Sequence, residues 1–410
     1  MLSVRFSFRA RTLIALLFLA LPAGTLHAQA LYKVGFRAAK FPNPTNSGSK
    51  SLDCTLYYPA RTQGKNAALL PRKGGWPVVV FLHGWRKYGY HYVEVGFALA
   101  SSGWIAVLSD TAPANLNLQI QDGRALHPAL VKENKTSTSW LAGALDTSNM
   151  ALAGHSTGAT NLFFILANNP GYSCGVSYGP WLGLDLKYGL TVMPKVTAPV
   201  LLLSGMGEKI TPWKPHGKGA YDRLTGVQGL KCLFVLDKDG DHYNIVAYVL
   251  RGRPADKQVF ETTHRAVSGF LRYVQGGDEK ALASVLGGTA RRSAKFGGLF
   301  ATNPRPLYFQ SGSTAIGTVS HLEVVALPGP ALHLFSIRKG SLKTSWGTLL
   351  LNPLYLGFFG PTPVGASGWF DLSFRLPNDP KLRGMTFYFQ ALGASKGGHR
   401  FSNPTALPIR

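Results

Sequence analysis

Short apolar runs alternate with helix-like segments through the first two thirds of the chain. Five of these runs are apolar on both faces, as in strands buried within a parallel sheet, and they cover 78–82, 104–108, 150–153, 200–203 and 233–236. A weaker alternation over 52–58 predicts a strand that precedes them. Helical spacing predicts helices over 91–102, 159–168 and 256–275. The alternation predicts an α/β domain over 31–290 with a doubly wound, mostly parallel sheet.

The pattern changes after about residue 290. Residues 291–305 are basic and polar and contain Gly297-Gly298, so a linker is predicted there. From 306 to 410 helical periodicity fades and short alternating segments recur between turn clusters. The predicted strands cover 319–327, 332–337, 348–351, 370–376 and 385–392. This pattern is typical of a C-terminal antiparallel module that resembles a β-sandwich.

The first thirty residues have the features of a targeting segment. Three arginines precede an apolar run from Leu13 to Leu21, and Ala28-Gln29-Ala30 follows as a small-residue cleavage pattern. Residues 1–30 are therefore predicted to be a secretory signal peptide, with the mature chain beginning near Leu31. No later apolar run reaches 18 residues, so no transmembrane segment is expected after its removal. The expected location is the periplasm or the extracellular medium.

Composition adds a strong positive charge. The chain has 43 Lys and Arg against 19 Asp and Glu, and 45% of its residues are hydrophobic, which excludes a disordered chain. Residues 291–410 alone hold 13 bases and 3 acids. Such an excess favours contact of the C-terminal module with an anionic surface, and it is equally consistent with a general role in solubility. Without a basic helix or a zinc-ligand spacing, nucleic acid is not an expected partner.

Three cysteines are far apart in the chain and form no C-x-x-C pattern. They are Cys54, Cys174 and Cys232. A metal or redox motif is not indicated, and no metal or cofactor is expected. An oxidising compartment allows one disulfide among the three, and the spacing does not say which pair forms it.

The clearest chemical signal is Gly154-His155-Ser156-Thr157-Gly158, a G-x-S-x-G pattern. It directly follows an apolar strand and precedes an apolar helix, which is the context that a nucleophilic serine requires. A tight strand-to-helix turn lifts the hydroxyl above the sheet, and the glycines permit close backbone packing. Ser156 is therefore predicted to be a catalytic nucleophile.

A serine hydroxyl needs a base and an orienting acid, which follow it in this order of elements. His242 lies in a glycine-containing loop after the late strand 233–236, so it is the predicted base. Glu208 is the first carboxylate after the strand 200–203, so it is the predicted acid. Competing histidines are His216 and His264. The alternative carboxylates, which remain open, are Asp185, Asp237, Asp239 and Asp241.

An oxyanion hole requires two backbone N–H donors. Thr157, which follows the nucleophile, is expected to supply one, and Trp85, which follows Gly84 in the loop after strand 78–82, is expected to supply the other. Aromatic residues expected near the same sheet edge are candidates for lining a substrate cleft. They are Tyr88, Tyr90, Trp181 and Trp213, besides Trp85 itself.

These motifs resemble the α/β-hydrolase superfamily, and most closely its secreted, lidless dienelactone-hydrolase-like branch with chlorophyllase-like and cutinase-like esterases. The resemblance covers about residues 50–275 and is carried by 81–85, 98–104, 154–158, Glu208 and His242. It implies a Ser–acid–His esterase on a parallel sheet with little or no cap. The chain departs from this branch in its Glu at the acid position, where Asp is commoner, and in Thr157, where polyester hydrolases usually carry an apolar residue.

The expected function is a secreted serine carboxylic-ester hydrolase that acts through an acyl-enzyme on a small or polymeric ester. Two alternatives remain open. One is an inactive hydrolase-fold protein that binds an acidic envelope polymer through its basic module. The other is a peptide or lactone hydrolase with the same triad. The presence of candidates for all three triad positions favours the ester hydrolase.

Overall fold

A computed structural model describes most of the chain. The described residues are 32–45, 47–168, 171–249, 252–287, 290, 293–303, 306–365, 367–395 and 398–410. The predicted signal peptide lies outside them. Contacts divide the chain into two compact units, one with the described residues of 1–189 and 242–264, the other with those of 190–241 and 265–410. Within the described residues, no helix is both long and apolar enough to cross a bilayer.

The first unit contains a mixed sheet. Its strands are β1 (Lys33–Pro42), β2 (Ser51–Ala60), β3 (Gly64–Lys65), β4 (Trp76–Leu82), β5 (Ile105–Ser109), β6 (Leu145–His155) and β7 (Tyr172–Tyr178). Their order is β7-β6-β4-β5-β2-β1-β3. β4 pairs in parallel with β5 and β6, and β6 with β7, whereas β2 runs antiparallel to both β1 and β5. The parallel centre matches the sequence prediction, and the antiparallel β1–β2 extension makes the sheet mixed.

Three helices lie entirely within the described part of this unit. They are α1 (Val93–Ser101), which follows a short 3₁₀ turn (Gly89–Tyr92), α2 (Leu116–Lys135) and α3 (Thr157–Leu166). The Asn115 side chain caps α2 by accepting the Leu118 N–H. α3 buries nearly all of its residues, which agrees with its almost uniformly apolar sequence. The central strand β4 is equally apolar, with Val78, Val80 and Phe81 fully buried.

The second unit begins with further sheet strands. They are β8 (Val200–Gly205), β9 (Lys231–Leu236) and β10 (Phe296–Thr302). β8 and β9 are parallel, and β10 pairs antiparallel with β9. Short helical segments here are 193–195, a π-helical turn over 214–218, α4 (Gly219–Arg223) and 279–284. The last long helix is α5 (Pro254–Gly276), which begins in the first unit and ends in the second. β10 lies inside the segment 291–305 for which the sequence predicts a linker.

The described strand pairs of the C-terminal module are all antiparallel. Its strands are β11 (Leu307–Gly312), β12 (Val319–Val325), β13 (Gly329–Ser336), β14 (Lys339–Thr344), β15 (Gly347–Leu351), β16 (Gly357–Val364), β17 (Trp369–Arg375), β18 (Thr386–Ser395), β19 (Gly398–Phe401) and β20 (Thr405–Pro408), with 3₁₀ turns at 353–355 and 380–382. One sheet has the order β11-β12-β17, the other β16-β13-β18-β19 with β20 beside β18, and β14 and β15 form a hairpin. Buried side chains of both sheets share one core, as in a sandwich.

All three cysteines are buried thiols, so the disulfide allowed by the sequence does not form. Cys54 lies on β2 and Cys174 on β7, with β5, β4 and β6 between them. At about 4.8 Å per strand, four steps separate their Cα atoms by roughly 19 Å, far beyond the span of about 4.4–6.8 Å that a disulfide accepts. Burial raises the pKa of the Cys174 thiol to about 12, which keeps it protonated.

Candidate active site

The nucleophile turn joins β6 to α3 and is strained. Ser156 has φ 56° and ψ −116°, a conformation that costs a non-glycine residue about 1–3 kcal/mol. Glycines on both sides make the turn possible. A Cβ on Gly154 would overlap the backbone of Gly158, and a Cβ on Gly158 would overlap the carbonyl oxygens of Leu82 and His83. The G-x-S-x-G pattern therefore reflects a backbone crossing that has no room for side chains.

The backbone of Ser156 is held on both sides. Its N–H donates to the Tyr178 carbonyl at 2.9 Å, and its carbonyl accepts the Trp181 N–H at 3.2 Å. Thr157 opens α3, where backbone amides have no acceptor within the helix. The Thr157 amide thus lies beside the nucleophile at the positive end of the helix dipole, where negative charge is favoured.

The loop after β4 packs directly on the nucleophile. A Cβ added to Gly84 would lie 3.2 Å from Ser156 Cβ and 3.1 Å from the Tyr92 hydroxyl. His83, fully buried, anchors this loop because its Nε2 bonds to the Thr111 carbonyl at 2.7 Å. Burial lowers the pKa of His83, so the ring is held neutral. Trp85, which follows Gly84, exposes 45% of its surface.

A chain of buried hydrogen bonds runs through Tyr92 and His155. The Tyr92 hydroxyl accepts the Gly84 N–H at 2.8 Å and lies 2.9 Å from His155 Nδ1. His155 Nε2 lies 2.7 Å from the His242 carbonyl oxygen. Tyr92 and His155 are each only 3% exposed. Neither Tyr92 nor the role of His155 was foreseen from the sequence, although the position next to Ser156 was a signal for the latter.

His242 lies close to the nucleophile turn. Its ring centroid is 4.5 Å from that of His155, and its carbonyl accepts the His155 bond, so it is adjacent to the residue that precedes Ser156. The side chain of His242 is 5% exposed. Burial, and then the charge of His242, lower the pKa of His155 well below its usual value, so His155 stays neutral beside the candidate base.

Glu208 belongs to the second unit and follows β8. Its Oε1 accepts the N–H groups of Ile210 at 2.8 Å and Thr211 at 3.0 Å, and the residue is 5% exposed. The loop packs closely on the backbone after β9. A Cβ on Gly205 would overlap the Gly240 carbonyl oxygen, and a Cβ on Gly207 would overlap that of Lys238. The bound carboxylate therefore has a fixed orientation.

The other candidates have different surroundings. Asp237 and Asp239 both pair with Lys295, and Asp185 is exposed and accepts the Lys187 N–H. His264 lies on α5 with its Nε2 3.2 Å from the Ser102 hydroxyl. His216 lies within the π-helical turn and Asp241 is half-buried.

The four cleft candidates fall in three places. Trp181 is bonded through its backbone to Ser156, and its ring lies 5.8 Å from that of Tyr188. Tyr88 and Tyr90 stack on each other at 5.4 Å in the segment that precedes α1. Trp213 is in the second unit, with its ring 6.2 Å from that of Phe300. Only Trp181 is thus linked directly to the nucleophile turn by a described hydrogen bond.

Comparisons with known proteins give consistent matches. A family model described as PETase, PET hydrolase-like, matches residues 40–251. A bis(hydroxyethyl) terephthalate hydrolase of Streptomyces coelicolor is 26% identical over 170 residues, 42% of this chain and 49% of the relative. Cutinase 1 of Thermobifida cellulosilytica is 26% identical over 132 residues, 32% of this chain and 47% of the relative. The chain spans about half the length of the curated relatives it matches.

Proposed function

Because the chain belongs to the PET hydrolase-like family of the α/β-hydrolase superfamily, we propose that it is a carboxylic-ester hydrolase with Ser156 as nucleophile. His242 takes the serine proton and later delivers it to the leaving alcohol. Glu208 holds the imidazole in the required tautomer and stabilises its charged form. Water then releases the acyl group from Ser156.

The observation that carries this proposal is the strained Ser156 turn. A φ of 56° at a serine is costly, and three backbone features maintain it: two glycines without room for a Cβ and the hydrogen bond to Tyr178. Strain of this kind persists where it holds a reactive group in place. A serine in a simple glycine-rich turn would have no need of it.

The assignment of the base and the acid rests on connectivity. His242 is bonded through its carbonyl to His155, the neighbour of Ser156. Glu208 lies in a loop clamped against Lys238 and Gly240, and only one residue separates Gly240 from His242 in the chain. The two carboxylates Asp237 and Asp239 pair with Lys295 instead.

The proposed oxyanion hole consists of the Thr157 and Trp85 amides. A Cβ on Gly84 would lie 3.2 Å from Ser156 Cβ, and this close packing supports the choice of the following amide, that of Trp85. Thr157 supplies its amide from the first turn of α3. Loss of one such donor typically costs about 100- to 1,000-fold in turnover.

For the substrate we propose esters with an aromatic acyl group. One relative is a bis(hydroxyethyl) terephthalate hydrolase, and the other is a cutinase. Trp85 follows Gly84, which packs on Ser156, and is 45% exposed, while Trp181 is half-buried and its N–H bonds to the Ser156 carbonyl. Their rings are the flat apolar surface that we propose for the acyl group. Aromatic rings offer such surface for stacking against an aromatic acid.

We propose secretion from residues 1–30, and N-terminal sequencing of exported protein should then begin at Leu31. A first residue at Met1 on exported protein would contradict cleavage. The basic excess of residues 291–410 remains the reason to propose contact with anionic surfaces. Loss of retention on an acidic polymer after removal of these residues would support it, and unchanged retention would contradict it.

Covalent labelling tests the nucleophile directly. A fluorophosphonate should add to Ser156 of the wild-type protein, and mass spectrometry of the peptide that contains 154–158 locates the adduct. Ser156→Ala should lose the label and at least about 10,000-fold of its turnover of nitrophenyl and bis(hydroxyethyl) terephthalate esters. A wild-type protein that hydrolyses neither ester and takes no label would refute the proposal.

A matched pair of variants tests the acid. Glu208→Gln keeps the size of the side chain and should lower kcat by about 1,000- to 10,000-fold, because the imidazole loses its charged partner. Asp185→Asn makes the same chemical change at an exposed carboxylate and should leave kcat unchanged. Equal activity of Glu208→Gln and the wild type would transfer the role to another carboxylate.

A further inference from the structure

We propose that Tyr92 and His155 are positioning residues that hold the oxyanion loop and the base loop in one fixed arrangement around Ser156. The proposal rests on the proposed function, since it assigns two more residues to the same site. Both act through their neighbours. Tyr92 holds Gly84, which precedes the oxyanion donor Trp85, and His155 holds the backbone of His242.

The protons in the hydrogen-bond chain from Gly84 through Tyr92 and His155 to His242 can be assigned in only one way. The His242 carbonyl only accepts, so His155 Nε2 carries the proton and donates. His155 is neutral because burial disfavours its charge, so Nδ1 has a lone pair and accepts from the Tyr92 hydroxyl. The Tyr92 oxygen then accepts the Gly84 N–H. Every donor faces an acceptor from Gly84 to His242.

Burial makes the chain a rigid connection. Tyr92, His155 and His242 are 3%, 3% and 5% exposed, so water does not compete for their bonds. A broken link would leave a buried polar atom without a partner, which is costly. The hydrogen bonds therefore stabilise one fixed arrangement of the loops that contain Gly84 and His242.

A second set of hydrogen bonds joins the segment 92–94 to the stretch that begins at His242. Glu94 lies two residues after Tyr92, and its carboxylate oxygens accept the N–H groups of Tyr248 at 2.6 Å and Val249 at 2.7 Å. The stretch that begins at His242 is thus bound to the 92–94 segment near both of its ends. His155 provides the tie at the end where the candidate base lies.

Tyr92→Phe removes the hydroxyl and keeps the ring, whose centroid lies 4.8 Å from that of Phe81. Since small displacements of catalytic groups cost up to about 100-fold, kcat should fall about 10- to 100-fold with KM changed little. Tyr172→Phe is the matched control. Its hydroxyl is also buried and donates to a backbone carbonyl, that of Gly123, at 2.8 Å. This control should keep the wild-type kcat.

Two substitutions of His155 separate the links. His155→Gln places an amide N–H where Nε2 donates to His242, and His155→Asn places an amide oxygen where Nδ1 accepts from Tyr92. Each should retain more kcat than His155→Ala, because each preserves one half of the chain. Tyr92→Phe combined with His155→Gln should lose no more kcat than the more damaged single variant, because both changes break the same Tyr92–His155 link.

One readout is independent of activity. In protein labelled with ¹⁵N-histidine, His155 should appear as a neutral ring protonated at Nε2, and Tyr92→Phe should move its Nδ1 resonance. A ring protonated at Nδ1 would overturn the proposal. His155→Gln identifies the resonance by its disappearance, and circular dichroism establishes that each variant is folded.

The outcomes separate the two proposals. If the wild-type protein lacks esterase activity and phosphonate labelling, the proposed function fails. The NMR result alone then decides whether the hydrogen bonds from Tyr92 through His155 to His242 exist. If the wild-type protein is active while folded Tyr92→Phe and His155→Ala retain full kcat, the positioning role fails and the proposed function stands. Should Tyr92→Phe not fold, the ranking of His155→Gln and His155→Asn above His155→Ala decides the matter.

Discussion

Each unit buries a tyrosine–histidine pair in which the tyrosine hydroxyl bonds to the histidine Nδ1. In the first unit Tyr92 bonds to His155 Nδ1 at 2.9 Å, and in the C-terminal module Tyr308 bonds to His333 Nδ1 at 2.8 Å. Their far ends differ. His155 Nε2 reaches the backbone of the candidate base His242, whereas His333 Nε2 reaches the Thr362 hydroxyl at 2.6 Å.

The module pair satisfies polar atoms within a core. Thr362 lies on β16 and its hydroxyl approaches the Ala331 carbonyl of β13, the paired strand, at 3.3 Å. Phe359 stacks on the His333 ring at 4.8 Å. A buried tyrosine–histidine pair is therefore no sign of catalysis by itself. The groups at its ends decide its role, and only the pair in the first unit ends beside a strained serine.

The largest expected contrast concerns glycines. Gly158→Ala places a Cβ onto the carbonyl oxygens of Leu82 and His83, so the nucleophile turn must open. We expect a loss of about 3 kcal/mol or more in the free energy of unfolding and near-complete loss of esterase turnover. Urea denaturation and nitrophenyl ester assays measure the two effects.

Gly365→Ala is the control in the module. No atom lies within 4 Å of a Cβ added there, so the free energy of unfolding should change by less than about 0.5 kcal/mol. Similar losses in both variants would mean that the two regions are equally intolerant, and would remove the evidence for a sterically closed nucleophile turn.

The elements that the sequence predicted well have strong, uninterrupted patterns. The central strands and the helices α1, α3 and α5 appear within a few residues of their predicted bounds, because runs such as 78–82 are apolar on both faces. The resemblance to cutinase-like α/β-hydrolases is confirmed by the family match and the two relatives.

The elements that were missed have sequences that argue against them. α2 contains Gly123 and Pro128, both unfavourable inside a helix. The glycine lies close to α3, because a Cβ there would meet the end of the Ile165 side chain at 2.5 Å. β16 carries Pro361 and Pro363. β10 lies in a basic, glycine-containing segment, where a Cβ on Gly297 would overlap the Leu236 backbone.

The candidate site was accessible to sequence reasoning where a motif has a chemical order. Ser156, Glu208 and His242 follow from the order of nucleophile, acid and base along the strands, and these roles stay predictions. Tyr92 was beyond reach, because nothing local marks a tyrosine whose partners lie eight and 63 residues away. Such a contact depends on the tertiary fold.

Two truncations, for which we expect effects of intermediate size, compare the hydrolase part of the chain with the C-terminal module. A chain that ends at 305 keeps β10, whose residues Phe296–Thr302 pair with β9, and should retain ester hydrolysis. A chain that ends at 290 exposes the edge of β9, including the buried Leu233 and Phe234, and should unfold at a lower temperature. Circular dichroism melting of both proteins measures the difference. Equal melting temperatures would mean that β10 contributes nothing to the β9 edge.

The smallest expected effect near neutral pH is the acid sensitivity of the module pair. Burial lowers the pKa of His333 from 6.5 to about 4, so the folded module resists a proton that the unfolded chain accepts. Stability from the neutral ring is therefore complete above pH 6.5 and declines as the pH falls towards 4. Hydrogen exchange of β13 amides, corrected for intrinsic rates, should report this decline in the wild type and a flatter dependence in His333→Gln. An equally steep decline in that variant would assign the acid sensitivity to another group and leave the Tyr308–His333 pair as a packing feature alone.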